Sequence, residues 1–100
     1  MKLWIDDVKP APEGYVWCKS VYMAKSVIIW YSYRENEIIE LIDIDHDAGD
    51  YACCGGHYIE ILKWLEKTGR NYPIHIHSDN EFNKVMMRAI IERNGWKEIE

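Results

Sequence analysis

Two aspartates, Asp6 and Asp7, end the first apolar run of this chain, and an acidic burst ends a later one at Asp43, Asp45 and Asp47, with His46 among them. A further run, Tyr72 to Ser78, closes on His77-Ser78. If these runs are neighbouring parallel strands, their carboxyl ends meet in one crevice, where open α/β sheets bind ligands. Clustered carboxylates repel one another unless a cation or protons offset them. The residue types therefore point to metal or phosphate chemistry, with imidazole available for proton transfer.

Each residue carries a specific expectation. On a regular strand Asp6 and Asp7 point oppositely, but a turn at the strand end brings both to one cation. Asp45 sits at the mouth and Asp47 opens the following loop. Asp43 lies further back and is expected to meet solvent, an aromatic hydroxyl or a lysine. His77, nearest the mouth, is the general acid-base candidate, while His75 packs or hydrogen-bonds. His46, flanked by aspartates, orients a carboxylate or assists the site. Ser78 donates to a phosphate oxygen or caps the next turn, and Asn80 has the same two choices. No Gly-x-Ser-x-Gly elbow supports a serine nucleophile. Gly55-Gly56 lacks the Lys-Ser/Thr that completes a nucleotide-hydrolase phosphate loop.

The elements that must position these groups follow from periodicity. Lys2–Val8 reads as a strand, Lys9–Gly14 as a turn-rich connector and Tyr15–Lys19 as a second strand. Ser20 caps a helix running to about Tyr33, with Ala24, Val27, Ile28 and Tyr31 as its core face. Ile38–Asp45 is filled with isoleucine and leucine, as in a central parallel strand covered on both faces. A loop follows over Asp47–Gly56, then a helix over His57–Lys67. Tyr72–His77 is a fourth strand. A last helix, capped by Asp79 or Asn80, presents Phe82, Met86, Ala89, Ile90 and Arg93, and Trp96–Glu100 is a fifth strand. The pattern predicts a small doubly wound, three-layer α/β domain: five mostly parallel strands, three helices, and a first crossover reduced to a loop.

Composition bounds the partners. One hundred residues make one domain, 1–100. The formal charge is -5, without a basic stripe, which disfavours duplex DNA. No apolar stretch approaches a membrane span, and no signal-peptide pattern opens the chain. Three cysteines without metal-site spacing imply a reduced, cytoplasmic protein. Five tryptophans and seven tyrosines exceed what a core this small can hide, so aromatic surface is expected, of the kind an oligomer contact or ligand groove uses.

The order of these motifs resembles the cyclic-phosphate processing receiver-like domains across nearly the whole chain. Lys2–Gly14 is similar to their opening segment, Asp45–Asp50 to their Asp-His-Asp strand exit, and Tyr58–Leu65 and Ile76–Asn80 to their later motifs. The resemblance implies a receiver-like (flavodoxin-like) fold with an acidic pocket. It also implies a role on cyclic or terminal phosphates of nucleotides or RNA, beside other processing enzymes. One departure stands out: after Asn80 the family's Pro-small-Gly turn is replaced by Glu81-Phe82-Asn83-Lys84. Glu81 adds charge where a phosphate would approach, and Lys84 offsets it. The late lysine of signalling receivers is missing, which counts against phosphorylation of Asp45.

The expected chemistry is hydrolysis of a phosphodiester, such as a 2',3'-cyclic phosphate. Asp6, Asp7 and Asp45 would hold one magnesium or manganese ion. His77 would move the proton, Asp47 or His46 would orient it, and Ser78, Asn80 and Lys84 would bind the phosphate. The alternative is a non-catalytic receiver-like module that binds metal or a phosphorylated ligand and presents a surface to a partner.

Overall fold

The computed structural model describes residues 1–100. Four parallel strands, β1 (Lys2–Ile5), β2 (Tyr15–Cys18), β3 (Leu41–Ile44) and β4 (Ile74–Ile76), lie in the order β2-β1-β3-β4. Three helices, α1 (Val21–Ser32), α2 (Ile59–Lys67) and α3 (Glu81–Asn94), follow β2, β3 and β4. The expected fifth strand is reduced to one parallel bridge, Ile74 with Glu98, held by Ile74 N–H on Lys97 O and Ile99 N–H on Ile74 O. No helix is long and apolar enough to cross a membrane.

The strand order reverses direction at β1, as in a doubly wound sheet. From β2 onward, however, every connection runs the same way across the sheet. Right-handed crossovers then place all three helices on one face. The single connection that would wind onto the other face, between β1 and β2, is the loop. The expected third layer is thus missing, and the domain has two layers.

Burial follows this arrangement. Leu3, Ile5, Cys18, Ile42, Ile44, Ile74 and Ile76 alternate along the strands and join Ala24, Ile28, Ile61, Leu62, Leu65, Met87, Ile90 and Ile91 in one core. Residues of the opposite parity, including Trp4, Trp17, Asp43 and His75, occupy the face without helices. Ile38, expected in the strand core, is exposed, because β3 begins at Leu41.

Helix ends are fixed by local chemistry. Ser20 Oγ accepts Met23 N–H at 3.1 Å and starts α1, while Asn80 Oδ1 accepts Asn83 N–H at 3.2 Å and starts α3. Gly95, at φ +67°, ends α3 in the left-handed conformation that glycine enters at least cost. The core face of α3 is Met87, Ile90 and Ile91, whereas Phe82, Met86 and Ala89 are exposed. Apolar residues at 82, 85, 86, 87, 90 and 91 allow two overlapping stripes. The one chosen lets Arg93 leave the core and fork onto Glu66 of α2, with both contacts at 2.7 Å.

That fork sets an acid dependence. The Arg93 bonds, followed by Asn94, hold the Glu66 carboxyl at about 2, below its ordinary 4.5. A depressed carboxylate contributes stability above its unfolded value and loses it as pH falls through the folded one. Thermal melts of the wild type and Glu66→Gln should therefore differ above about pH 4.5. They should converge as pH is lowered toward 2.

Candidate metal centre

Strand parity decides which acidic residues meet. Trp4 pairs with Asp43, and Asp43 with His75, so these side chains share the face that bears no helix. Two residues further along each strand come Asp6, Asp45 and His77, which inherit the same face. The backbone bonds Asp45 N–H to Ile5 O at 2.9 Å and His77 N–H to Ile44 O at 3.0 Å carry the register past the last paired residues. One ligand atom from each of Asp6, Asp45 and His77 falls within 4.8 Å of the others.

Asp7 has the opposite parity and does not join this cluster. Its carboxylate lies over the loop after β3, against Gly49, where an added Cβ would collide with Oδ2. Gly49 also sits at φ +52°, so glycine answers both demands. The groups that converge are two carboxylates and an imidazole, where the sequence leads one to expect the oxygen-only set of Asp6, Asp7 and Asp45.

His77 is held from both sides. Nδ1 lies 2.6 Å from Asp43 Oδ1 and Nε2 lies 2.9 Å from Asp6 Oδ2, while the ring stacks on Trp4 at 3.9 Å with 2° between planes. Asp43, expected to meet solvent, a tyrosine or a lysine, is buried against this histidine instead. Burial works against the imidazolium, but the bonds to Asp43 and Asp6 outweigh it and raise the His77 pKa. In the imidazolium form both ring nitrogens donate, and the charge over the Trp4 face adds a favourable contact.

The two carboxylates differ. Burial pushes Asp6 up, but Val8 and Lys9 N–H groups, each 2.9 Å from Oδ1, and His77 more than compensate, leaving its pKa lowered. Asp45 has one such donor, His46 N–H at 2.8 Å, and burial followed by the neighbouring Asp6 charge leaves its pKa raised. Asp45 is the under-compensated anion of the pocket. A divalent cation would supply the missing charge, so the donor set fits one. Carboxylate oxygens suit magnesium or manganese, and the imidazole shifts the balance toward manganese. Asp43 on the far nitrogen of His77 is the carboxylate–histidine support that metal-binding imidazoles generally have.

The remaining candidates lie around this centre. Asp47 accepts Gly49 N–H at 2.8 Å and approaches His57 Nδ1 at 3.2 Å, with no contact to His77. His46 stacks near His57, ring centroids 6.2 Å apart, and its buried Nδ1 has no hydrogen-bond partner. The orienting role expected of Asp47 or His46 falls geometrically to Asp43. Ser78 Oγ accepts Asn80 N–H at 3.2 Å, so Ser78 and Asn80 both serve the start of α3. Lys84 pairs with Glu81 at 3.3 Å and lines a groove with His75, Arg88 and Glu98.

Lys9 brings a cation to the rim of this pocket. It bonds Asp79 at 3.3 Å, and that contact, with further attraction from Asp45 and Asp6, raises its pKa. Its signal was the turn after Asp6-Asp7, which must fold over the strand ends to reach β2.

Fold and site together define a receiver-like domain with an acidic, histidine-bearing pocket at the carboxyl ends of its strands. The chain belongs to the cyclic-phosphate processing receiver domain family, which it matches over residues 1–93. Comparisons with curated proteins and with solved structures give no match.

Proposed function

We propose that this domain is a divalent-metal-dependent phosphoesterase that processes cyclic or terminal phosphates of a nucleotide or an RNA end. The observation that carries this reading is the convergence of Asp6, Asp45 and His77 within 4.8 Å, on a chain of the cyclic-phosphate processing family. A metal bound there would polarise phosphoryl oxygens and offset charge developing in the transition state.

The protein's own groups supply the rest. Asp6 keeps one carboxylate oxygen on the Val8 and Lys9 amides, which leaves Oδ2 directed at the pocket. Asp43 fixes the His77 ring through Nδ1, so Nε2 faces the pocket. The proton on Nε2 must leave before that nitrogen ligates metal. His77 is accordingly assigned as a ligand rather than as the free general acid-base. Lys9 provides positive charge at the rim for a phosphate, and Ser78 and Asn80 flank the same mouth from the start of α3.

The test has two stages. Titration with Mn²⁺ or Mg²⁺, followed by amide NMR, should give saturable changes at Asp6, Asp45 and His77, with Mn²⁺ the tighter ligand. The loaded protein is then offered nucleoside 2',3'-cyclic phosphates and RNA bearing cyclic-phosphate ends. A metal-dependent monophosphate product supports the enzyme. Saturable metal and phosphate binding with no product under any metal would instead establish the non-catalytic receiver-like module.

A further inference from the structure

Helix α1 is apolar on both sides. Val21, Ala24 and Ile28 face the core, yet Tyr22, Met23, Ile29, Trp30 and Tyr33 at its end are exposed. With roughly 100° per residue, these five and Ser26 fall within about 60° of one line along the helix. A soluble helix covering only one apolar face normally carries charge on the other. The only charge in α1 is Lys25, and its ammonium turns aside to lie 5.8 Å over the Trp64 ring.

We infer that α1 is the interface of a two-fold homodimer, packing antiparallel against α1 of a second copy through Tyr22, Met23, Ser26, Ile29, Trp30 and Tyr33. Each chain carries -5, which opposes close approach over most of its surface, and the α1 face is where that repulsion is weakest, its one adjoining charge being Arg34, 5.5 Å over the Trp30 ring and paired with Glu37. The exposed apolar residues of α3, Phe82, Val85 and Met86, are interleaved with Glu81, Lys84 and Arg88 and lack this neutrality.

Geometry also favours self-pairing. An antiparallel arrangement sets Tyr22 and Met23 of one copy beside Trp30 and Tyr33 of the other. Ser26 lies near the middle, where its small size permits close approach. Its hydroxyl is already bonded to Tyr22 O at 2.9 Å, so burying it strands no donor. Tyr22, Trp30 and Tyr33 are 61%, 60% and 83% exposed. Aromatic side chains of this size offer roughly 400 Å² per copy at those exposures. With Met23, Ile29 and the flanking backbone, the paired area approaches the roughly 1,200 Å² of a small stable interface.

Sedimentation equilibrium at micromolar concentration should find a dimer. Trp30→Glu should give a monomer with unchanged circular dichroism and melting temperature, while Phe82→Glu should remain dimeric. Ser26→Cys, in a Cys53→Ser, Cys54→Ser background, should form an intermolecular disulfide under mild oxidation. A wild-type monomer throughout that range would overturn the inference. So would a dimer that survives Trp30→Glu, one lost in Phe82→Glu, or a Ser26→Cys dimer that does not crosslink.

Discussion

Asparagine at position 45 should raise the melting temperature of the metal-free domain while lowering its Mn²⁺ affinity by more than about 100-fold, a larger loss than outer-shell changes cause. The two effects have one origin. Asp45 is half-buried beside Asp6 and accepts only the His46 amide, so partial burial and the neighbouring charge disfavour its ionised form in the folded chain. Removing the charge relieves that cost, and the asparagine carbonyl can still accept from His46 N–H. The bound cation, by contrast, loses one of its two anionic ligands.

Opposite signs make the experiment discriminating. A merely structural aspartate would lower stability when replaced, and a solvated one would change neither quantity. Melting curves in a chelator, paired with calorimetric Mn²⁺ titration, separate the cases. Asp45 is a better test than His77, whose removal leaves Asp43 and Asp6 facing each other without the cation between them.

The fold was legible because its signals are local and redundant. Ser20 and Asn80 announce helix starts, Gly95 announces a helix end, and the isoleucine-rich run through Ile44 announces a central strand. The reduced first crossover was visible in the ten or so residues between the strands. Without that crossover no helix covers the second face, which local periodicity does not reveal. The phase of α3 was also hidden, since Phe82 and Met87 each begin an acceptable apolar stripe. Tertiary packing of Met87, Ile90 and Ile91 on the core settles the choice, and the fork between Arg93 and Glu66 agrees with it.

The site was legible in composition and partly illegible in geometry. Asp6, Asp45 and His77 share strand parity once the register is known, but register depends on three non-adjacent segments. Asp7 reaches the cation of Asp6 only if a turn at the strand end cancels their opposite parity, and that turn instead lays Asp7 against Gly49. Asp43 is expected to meet solvent, an aromatic hydroxyl or a lysine, and its actual partner is His77. A buried carboxylate requires a partner, and the strand holding His75 and His77 was the available source. Trp4 gave no hint of its stack on His77, because that contact requires β1 and β4 to be brought together across β3.

Alanine at position 43 is expected to destabilise the metal-free domain by about 3 kcal/mol, because it breaks a buried pair and leaves the imidazole only Asp6 as a partner. The 2.6 Å bond to His77 disappears, and the ring loses the larger of its two carboxylate contacts. The difference from wild type should depend on pH. His77 has a raised pKa, so its contribution is fully present below the unfolded value, about 6.5, and fades as pH rises through the folded one. The gap between Asp43→Ala and wild type should therefore be wide at about pH 5 and shrink in alkali. Urea unfolding in a chelator at several pH values measures it, and an equal gap at pH 5 and pH 9 would show that Asp43 does not act through the imidazolium. With Mn²⁺ present, the same variant should bind about 10- to 100-fold more weakly, because the ring is no longer aimed by its outer carboxylate.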